Sequence, residues 1–249
     1  MRKIGVIGGM SCESSVLYYK LANKQVREKF GGLVSPKILI NSVNFAEVRE
    51  MQTSGDWDGA GRFLAEEALN LQKGGADIVL LATNTMHKVA HFIEDALDVP
   101  FLHIADAVAV KLKQAGVSTT GLLGTRYTMI DDFYKKRLKA NHNIETVIPD
   151  EKYIDKIDSV IFDELCQGLV EDKSRELYKA ALEDLKAKGA GAVILGCTEI
   201  GILIKQTDSL LKTVCSTQAH IDVALEYSLS DKSIEDVLGL NAEVVLKTA

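Results

Sequence analysis

The stretch Gly74-Gly75-Ala76-Asp77-Ile78-Val79-Leu80-Leu81-Ala82-Thr83-Asn84-Thr85 decides the architecture. Its two glycines stop a helical pattern running from Gly61 to Lys73, and Lys73 complements that helix's carbonyl end. Ile78 to Leu81 then form an unbroken apolar run, the pattern of a strand buried on both faces. The run ends in Thr83-Asn84-Thr85, a polar strand end. The same grammar returns at Gly189-Ala190-Gly191-Ala192-Val193-Ile194-Leu195-Gly196-Cys197-Thr198-Glu199.

Outward from these two stretches, short apolar runs alternate with longer amphipathic ones. Ile4 to Ile7 reads as a strand entering a turn at Gly8-Gly9, and Ser14 and Ser15 can cap a helix reaching Phe30. Pro36 precedes a second strand, Ile38 to Ile40, and Gln52 to Ala60 reads as loop. After Pro100 the order repeats. Thr120 to Gly124 is strand and turn, a helix runs through Tyr134 and Leu138, and Glu145 to Ile148 is a strand. Lys156 to Leu169 and Ser174 to Lys188 are helical. Buried strands separated by helices predict an α/β protein with parallel sheets.

The halves also match each other. An offset of 116 carries Gly5 onto Gly121, Gly8 onto Gly124 and Tyr18 onto Tyr134. An offset of 114 carries Leu71 onto Leu185, Gly75 onto Gly189, Ala76 onto Ala190 and Thr83 onto Cys197. This predicts a duplicated α/β unit: two similar domains related by a pseudo-twofold axis, with strand ends meeting at an inter-domain cleft. The expected division is 1–98 with 208–249, and 99–207. The four strand ends are Gly8 to Ser11, Thr83 to Thr85, Gly124 to Arg126, and Cys197 to Glu199.

Composition narrows the function classes. The 249 residues carry a formal charge of −6, against nucleic acid or an anionic membrane surface as partner. No apolar run approaches the roughly 20 residues of a membrane span, and the apolar start breaks at Gly8 without a cleavage-site pattern. Cys12, Cys166, Cys197 and Cys215 form no CxxC pair, so the expectation is a reduced, cytoplasmic protein.

Several residues carry candidate chemistry. Cys197 follows a buried strand and a glycine, where helix-start amides lower a thiol pKa; the alternative is a small buried hydrophobe. Cys12 borders the first glycine turn, while Cys166 and Cys215 read as structural. His87 and His91 stand at zinc-ligand spacing, but neither a HExxH glutamate nor a third ligand accompanies them, so no metal is expected. Gly5 to Gly9 fits neither nucleotide-binding glycine motif. Ser11, Ser14 and Ser15 read as turn, cap or anion donors, and Arg126 and Arg49 as partners for a carboxylate or surface charges.

Gly8-Gly9-Met10-Ser11-Cys12-Glu13-Ser14, Ala82-Thr83-Asn84-Thr85-Met86-His87, Leu122-Leu123-Gly124-Thr125 and Gly196-Cys197-Thr198-Glu199 together resemble the cofactor-independent aspartate/glutamate racemases. The resemblance spans nearly the whole chain except about the last 20 residues. It implies two similar α/β domains, a homodimer, a small amino-acid substrate, and neither pyridoxal phosphate nor a metal. It further implies paired cysteines working on opposite faces of the α-carbon. Cys197 matches the second cysteine, whereas Thr83 stands at the first, so the implied catalytic residues are Thr83 and Cys197. A thiol titrates near 8.5 and is tunable, while an alcohol is a far poorer source of base; since the resemblance assigns the second cysteine to the L-enantiomer, it implies a preference for L-amino acids. The resemblance implies substrate contacts at Met10, Ser11, Gln52, Asn84, Thr85, Thr125, Thr198 and Glu199. Neutral Val48 and Cys166, with Arg49 adjacent to the first, fall where aspartate racemases carry basic residues, which opens the side-chain choice to broader small amino acids. The alternatives are a cysteine-dependent decarboxylase or cis–trans isomerase of a small dicarboxylic acid, and a non-enzymatic amino-acid sensor. The tail from Ser228 has no assigned role beyond a short helix at Ile234 to Leu238.

Overall fold

The computed structural model describes residues 1–240; residues 241–249, grouped above with the first domain, lie outside the described residues. Eight strands are described: β1 (Ile4–Gly8), β2 (Ile38–Ser42), β3 (Ile78–Leu81), β4 (Phe101–Leu102), β5 (Thr119–Leu123), β6 (Glu145–Val147), β7 (Ala192–Leu195) and β8 (Lys212–Cys215). They form two parallel four-stranded sheets, ordered β2-β1-β3-β4 and β6-β5-β7-β8. The chain divides into two compact units, residues 1–104 with 220–240, and residues 105–219. Residues 208–219 run with the second sheet, where β8 pairs with β7, and β4 keeps 99–104 with the first.

The two sheets repeat each other in the register of their central strands. Gly5 pairs with Val79 and Gly121 with Val193, the same register at the two sequence offsets. Asp77 N–H donates to Lys3 O at 2.8 Å, and Gly191 N–H to Thr119 O at 2.9 Å. The preceding helices end alike: Ala76 N–H donates to Leu71 O and Ala190 N–H to Leu185 O, both at 3.1 Å, with φ +83° at Gly75 and +87° at Gly189. Gly5 and Gly121 serve the same close approach. A β-carbon on Gly5 would stand 2.9 Å from Ala76 Cβ and 3.2 Å from Leu71 Cβ, and one on Gly121 2.7 Å from Leu185 Cδ1. Each sheet has its own apolar core, Leu64, Leu71, Val79 and Ile93 in the first unit, and Ile157, Leu182, Leu185 and Val193 in the second.

Local structure departs from the sequence expectation at three places. Ser11, not Ser14 or Ser15, caps the first helix, Cys12–Phe30, by accepting from Ser14 N–H at 3.3 Å. Ser14 and Ser15 are buried inside its first turn, their hydroxyls turned to backbone carbonyls. Gln52 lies on a helix, Phe45–Ser54, rather than in a loop. Gly55, in the left-handed region, ends that helix, and Asp56 at once caps the next one, Trp57–Lys73, by accepting from Gly59 N–H at 2.9 Å. Gly59, which suggests a loop there, makes room for that cap instead, since a β-carbon on it would stand 2.1 Å from Asp56 Oδ2. The stretch Lys156 to Leu169 begins as the helix Glu151–Ser159, then widens into a π turn, Val160–Glu164, and tightens into a 3₁₀ turn, Leu165–Gln167. The expected helix at Ile234–Leu238 is present, capped by Ser233.

The duplication extends to the buried tyrosines, whose surroundings differ. Tyr18 bonds His220 Nδ1 at 2.8 Å, and His220 Nε2 donates to Leu102 O, so the tyrosine hydroxyl is the donor. Tyr134 lies beside Asp106, which the offset of 114 carries onto His220. Asp106 is itself 2% exposed and bonded to Arg137 Nε and Nη2 at 2.9 and 2.7 Å and to His142 Nε2 at 2.8 Å. Among the described residues no helix is long and apolar enough to cross a membrane.

Candidate active site

In each unit the last ladder bond precedes the candidate residue by one position. Ala82 N–H donates to Ile7 O at 2.9 Å and Gly196 N–H to Leu123 O at 2.7 Å, so Thr83 and Cys197 occupy equivalent steps off their sheets. A buried serine hydroxyl secures each step: Ser14 donates to Ala82 O at 3.1 Å, and Ser216 to Leu195 O at 3.0 Å.

The first unit gathers Met10, Ser11, Gln52, Thr83, Asn84 and Thr85 around this strand end. Gly9 makes the turn possible, with φ +92° and a hypothetical β-carbon only 2.2 Å from Val43 O. Gly9 N–H donates to Ser15 Oγ at 2.8 Å, and Ser15 Oγ donates to Ser11 O at 3.0 Å, which fixes the loop carrying Ser11. Met10 packs in the same apolar cluster as Met86, the residue that Gln52 Nε2 approaches at 2.9 Å through sulfur. Gln52 is 6% exposed and also receives Arg49 Nη1 at 3.4 Å, so its amide is already oriented. Thr83 is half-buried. His87, raised above only as a zinc-type histidine, lies 2.7 Å through Nδ1 from the Thr83 carbonyl, while His91 rests on Phe92.

The second unit assembles Thr125, Cys197, Thr198 and Glu199. Thr125 caps the short helix Arg126–Ile130 by accepting from Thr128 N–H, and shares a 3.1 Å bond with the Thr128 hydroxyl. Arg126 does not present itself to a ligand carboxylate: its guanidinium pairs with Asp155 and its backbone N–H with Asp158. Cys197 Sγ donates to Glu199 Oε2 at 2.9 Å, and the Thr198 hydroxyl bonds the same oxygen. Glu199 is 6% exposed.

The electrostatics of Cys197 reverse the expectation of a thiol acidified by a helix start. Burial pushes its pKa well above the ordinary value, and the Glu199 carboxylate adds to the rise; a backbone bond acts the other way but is outweighed. The following helix, Ile200–Leu203, is too short to supply much dipole. The thiol therefore rests protonated against a carboxylate positioned to receive its proton. Cys166, read above as structural by its own context but aligned by the resemblance with a basic position of aspartate racemases, belongs to this neighbourhood: burial first and Glu199 second raise it to about 11, and its charge is felt by Cys197. It stands on the irregular turn after the π segment.

Comparison with known proteins places this geometry. Residues 7–224 match the Asp/Glu/hydantoin racemase family. A Yersinia pestis structure, described as a candidate Asp/Glu racemase, is 43% identical with a TM-score of 0.88, over 92% of this chain and 100% of that one. An aspartate racemase homologue from Pyrococcus horikoshii is 34% identical with a TM-score of 0.82, at 92% and 100% coverage. The broad-specificity amino-acid racemase RacX of Bacillus subtilis is 24% identical over 176 residues, 69% of this chain and 75% of RacX.

Proposed function

This chain belongs to the Asp/Glu/hydantoin racemase family, and we propose that it is a cofactor-independent racemase of small L-amino acids, with Cys197 as main acid/base and Thr83 serving the opposite face of the substrate α-carbon. The observation that carries the reading is the Cys197–Glu199 pair, a half-buried thiol 2.9 Å from a buried carboxylate at a strand end equivalent to that of Thr83.

The chemistry follows from that pair. Glu199 takes the thiol proton, and the thiolate takes the substrate α-proton, so a C–H bond breaks and an S–H bond forms. The electron pair moves into the substrate carboxylate as an enediolate. Hydroxyls and amides at Ser11, Asn84, Thr85, Thr125 and Thr198 hold that carboxylate as its charge grows. The Thr83 hydroxyl delivers a proton to the other face and is restored from water, while the proton on Glu199 returns to solvent. One proton enters and one leaves per turnover, and the step calls on neither pyridoxal phosphate nor a metal. Met10 and Gln52 line the substrate side, next to Met86. The same reading has the enzyme act as a homodimer in a reducing cytoplasm.

Wash-in of α-deuterium from an amino-acid panel in D₂O tests the reading. Exchange drops by on the order of 10⁴-fold in Cys197→Ser, and Thr83→Cys brings exchange from the two enantiomers closer together. Equal, fast exchange from both enantiomers by the wild type overturns the one-sided mechanism. Carbon dioxide release from an arylmalonate without racemisation assigns the site to decarboxylation instead.

A further inference from the structure

Thr83 is held in a way that Cys197 is not. Its amide turns back to Leu81 O at 2.9 Å, and its carbonyl lies 2.7 Å from His87 Nδ1. The other ring nitrogen, Nε2, receives the backbone N–H of Ile104 at 3.1 Å. A backbone N–H only donates, so Nε2 is unprotonated, and Nδ1 carries the hydrogen that goes to Thr83. The ring is 2% exposed, with the His103 ring set edge-on at 4.4 Å and Phe101 at 5.7 Å. His87 thus joins the candidate strand end to the last residue of the unit's first segment. The offset of 114 places Gly201 at the equivalent point of the second unit, which leaves no counterpart there.

We propose that His87 is a positioning residue, holding the Thr83 hydroxyl in line with the substrate through its bond to the Thr83 carbonyl; this rests on the racemase reading above. The asymmetry has a chemical reason. Cys197 has a carboxylate at hand to drive its proton transfer, whereas an alcohol has only placement to offer, so the alcohol side is the one that needs a rigid mount.

Each ring nitrogen has an amide mimic. His87→Asn retains an N–H on the side of Thr83, and His87→Gln retains an acceptor on the side of Ile104. Two rates are read in D₂O on the amino acid that exchanges fastest in the panel: deuterium incorporated with retention, which needs only Cys197, and inversion, which needs both faces. In His87→Gln inversion falls about tenfold or more, while retention exchange and KM stay within about threefold. In His87→Asn inversion stays within about threefold of the wild type. Parallel loss of both rates, an Asn variant no better than the Gln variant, or unchanged inversion in the Gln variant each overturns the role of His87. Wild-type protein that exchanges no member of the panel ends the racemase reading and this role together.

Discussion

Thr83 and Cys197 leave their sheets one residue after equivalent ladder bonds, each step secured by a buried serine hydroxyl, yet the side chains bonded to the two residues differ in kind. The first turn sets a histidine on the Thr83 carbonyl and a sulfur contact on Gln52, which under the proposed mechanism serves placement. The second sets a thiol and a hydroxyl both on the Glu199 carboxylate, which under the same proposal serves proton transfer. The buried tyrosines split the same way, Tyr18 on a histidine and Tyr134 beside the Asp106 ion network. A duplicated frame thus keeps its hydrogen-bond register while the residues at its ends diverge, and the chemistry is decided by a handful of side chains that the frame does not constrain.

The contrast breaks most heavily at Asp106. Burial raises its pKa, but the bond from His142 and the charge and bonds of Arg137 outweigh that and hold it below the usual carboxylate value. A depressed native pKa stabilises the fold above the unfolded-state value near 3.9 and is lost as pH falls through the native one. Asp106→Asn should therefore cost about 3–5 kcal/mol near neutrality, because Arg137 and His142 lose the carboxylate charge they bond, and should flatten the acid limb of stability. Urea unfolding as a function of pH measures both.

Glu199→Gln sharpens the contrast at the site. Loss of the proton acceptor should slow α-deuterium exchange about 100-fold. Removing the charge should also move the pH midpoint of Cys197 alkylation downward, though burial, the larger cause, keeps it above an ordinary thiol. An unmoved midpoint would separate the carboxylate from the thiol. The gentlest probe compares Gly5→Ala with Gly121→Ala. The first meets the β-carbons of Ala76 and Leu71, which move only with their backbone, and the second meets the end of the Leu185 side chain, which can rotate. Thermal unfolding should show a loss of about 2 kcal/mol for the first and about 1 kcal/mol for the second.

Legibility in the sequence followed burial. The central strands β1, β3, β5 and β7 are buried and largely apolar and were read from pattern alone, as was the duplication, since Gly5 and Gly121 answer the same steric demand. Of the four edge strands, β2 and β6 were read as well, whereas two escaped notice: β4 is two residues long and β8 is Lys212-Thr213-Val214-Cys215, half polar. Glycine misled between Gln52 and Ala60, where Gly55 supplies the left-handed turn between helices and Gly59 clears space for the capping carboxylate of Asp56. The positions of Thr83 and Cys197 at strand ends were legible; the proximity of Glu199 to the thiol, and of His87 to the Thr83 carbonyl, was not, because side-chain direction in irregular turns has no period to read.

The first unit is written in two separated segments, and this sets a schedule for biosynthesis. Tyr18 waits for His220, and Arg2 N–H waits for Ser228 O, partners more than 200 residues away. Among the described residues the second unit is one uninterrupted segment, whose sheet is complete once β8 has been made. On the ribosome the inserted half can therefore finish first, while the half synthesised earliest stays open at Tyr18 until the chain is nearly complete. Nascent chains halted after Cys215 should accordingly protect the later-made half from protease and leave the earlier-made half susceptible.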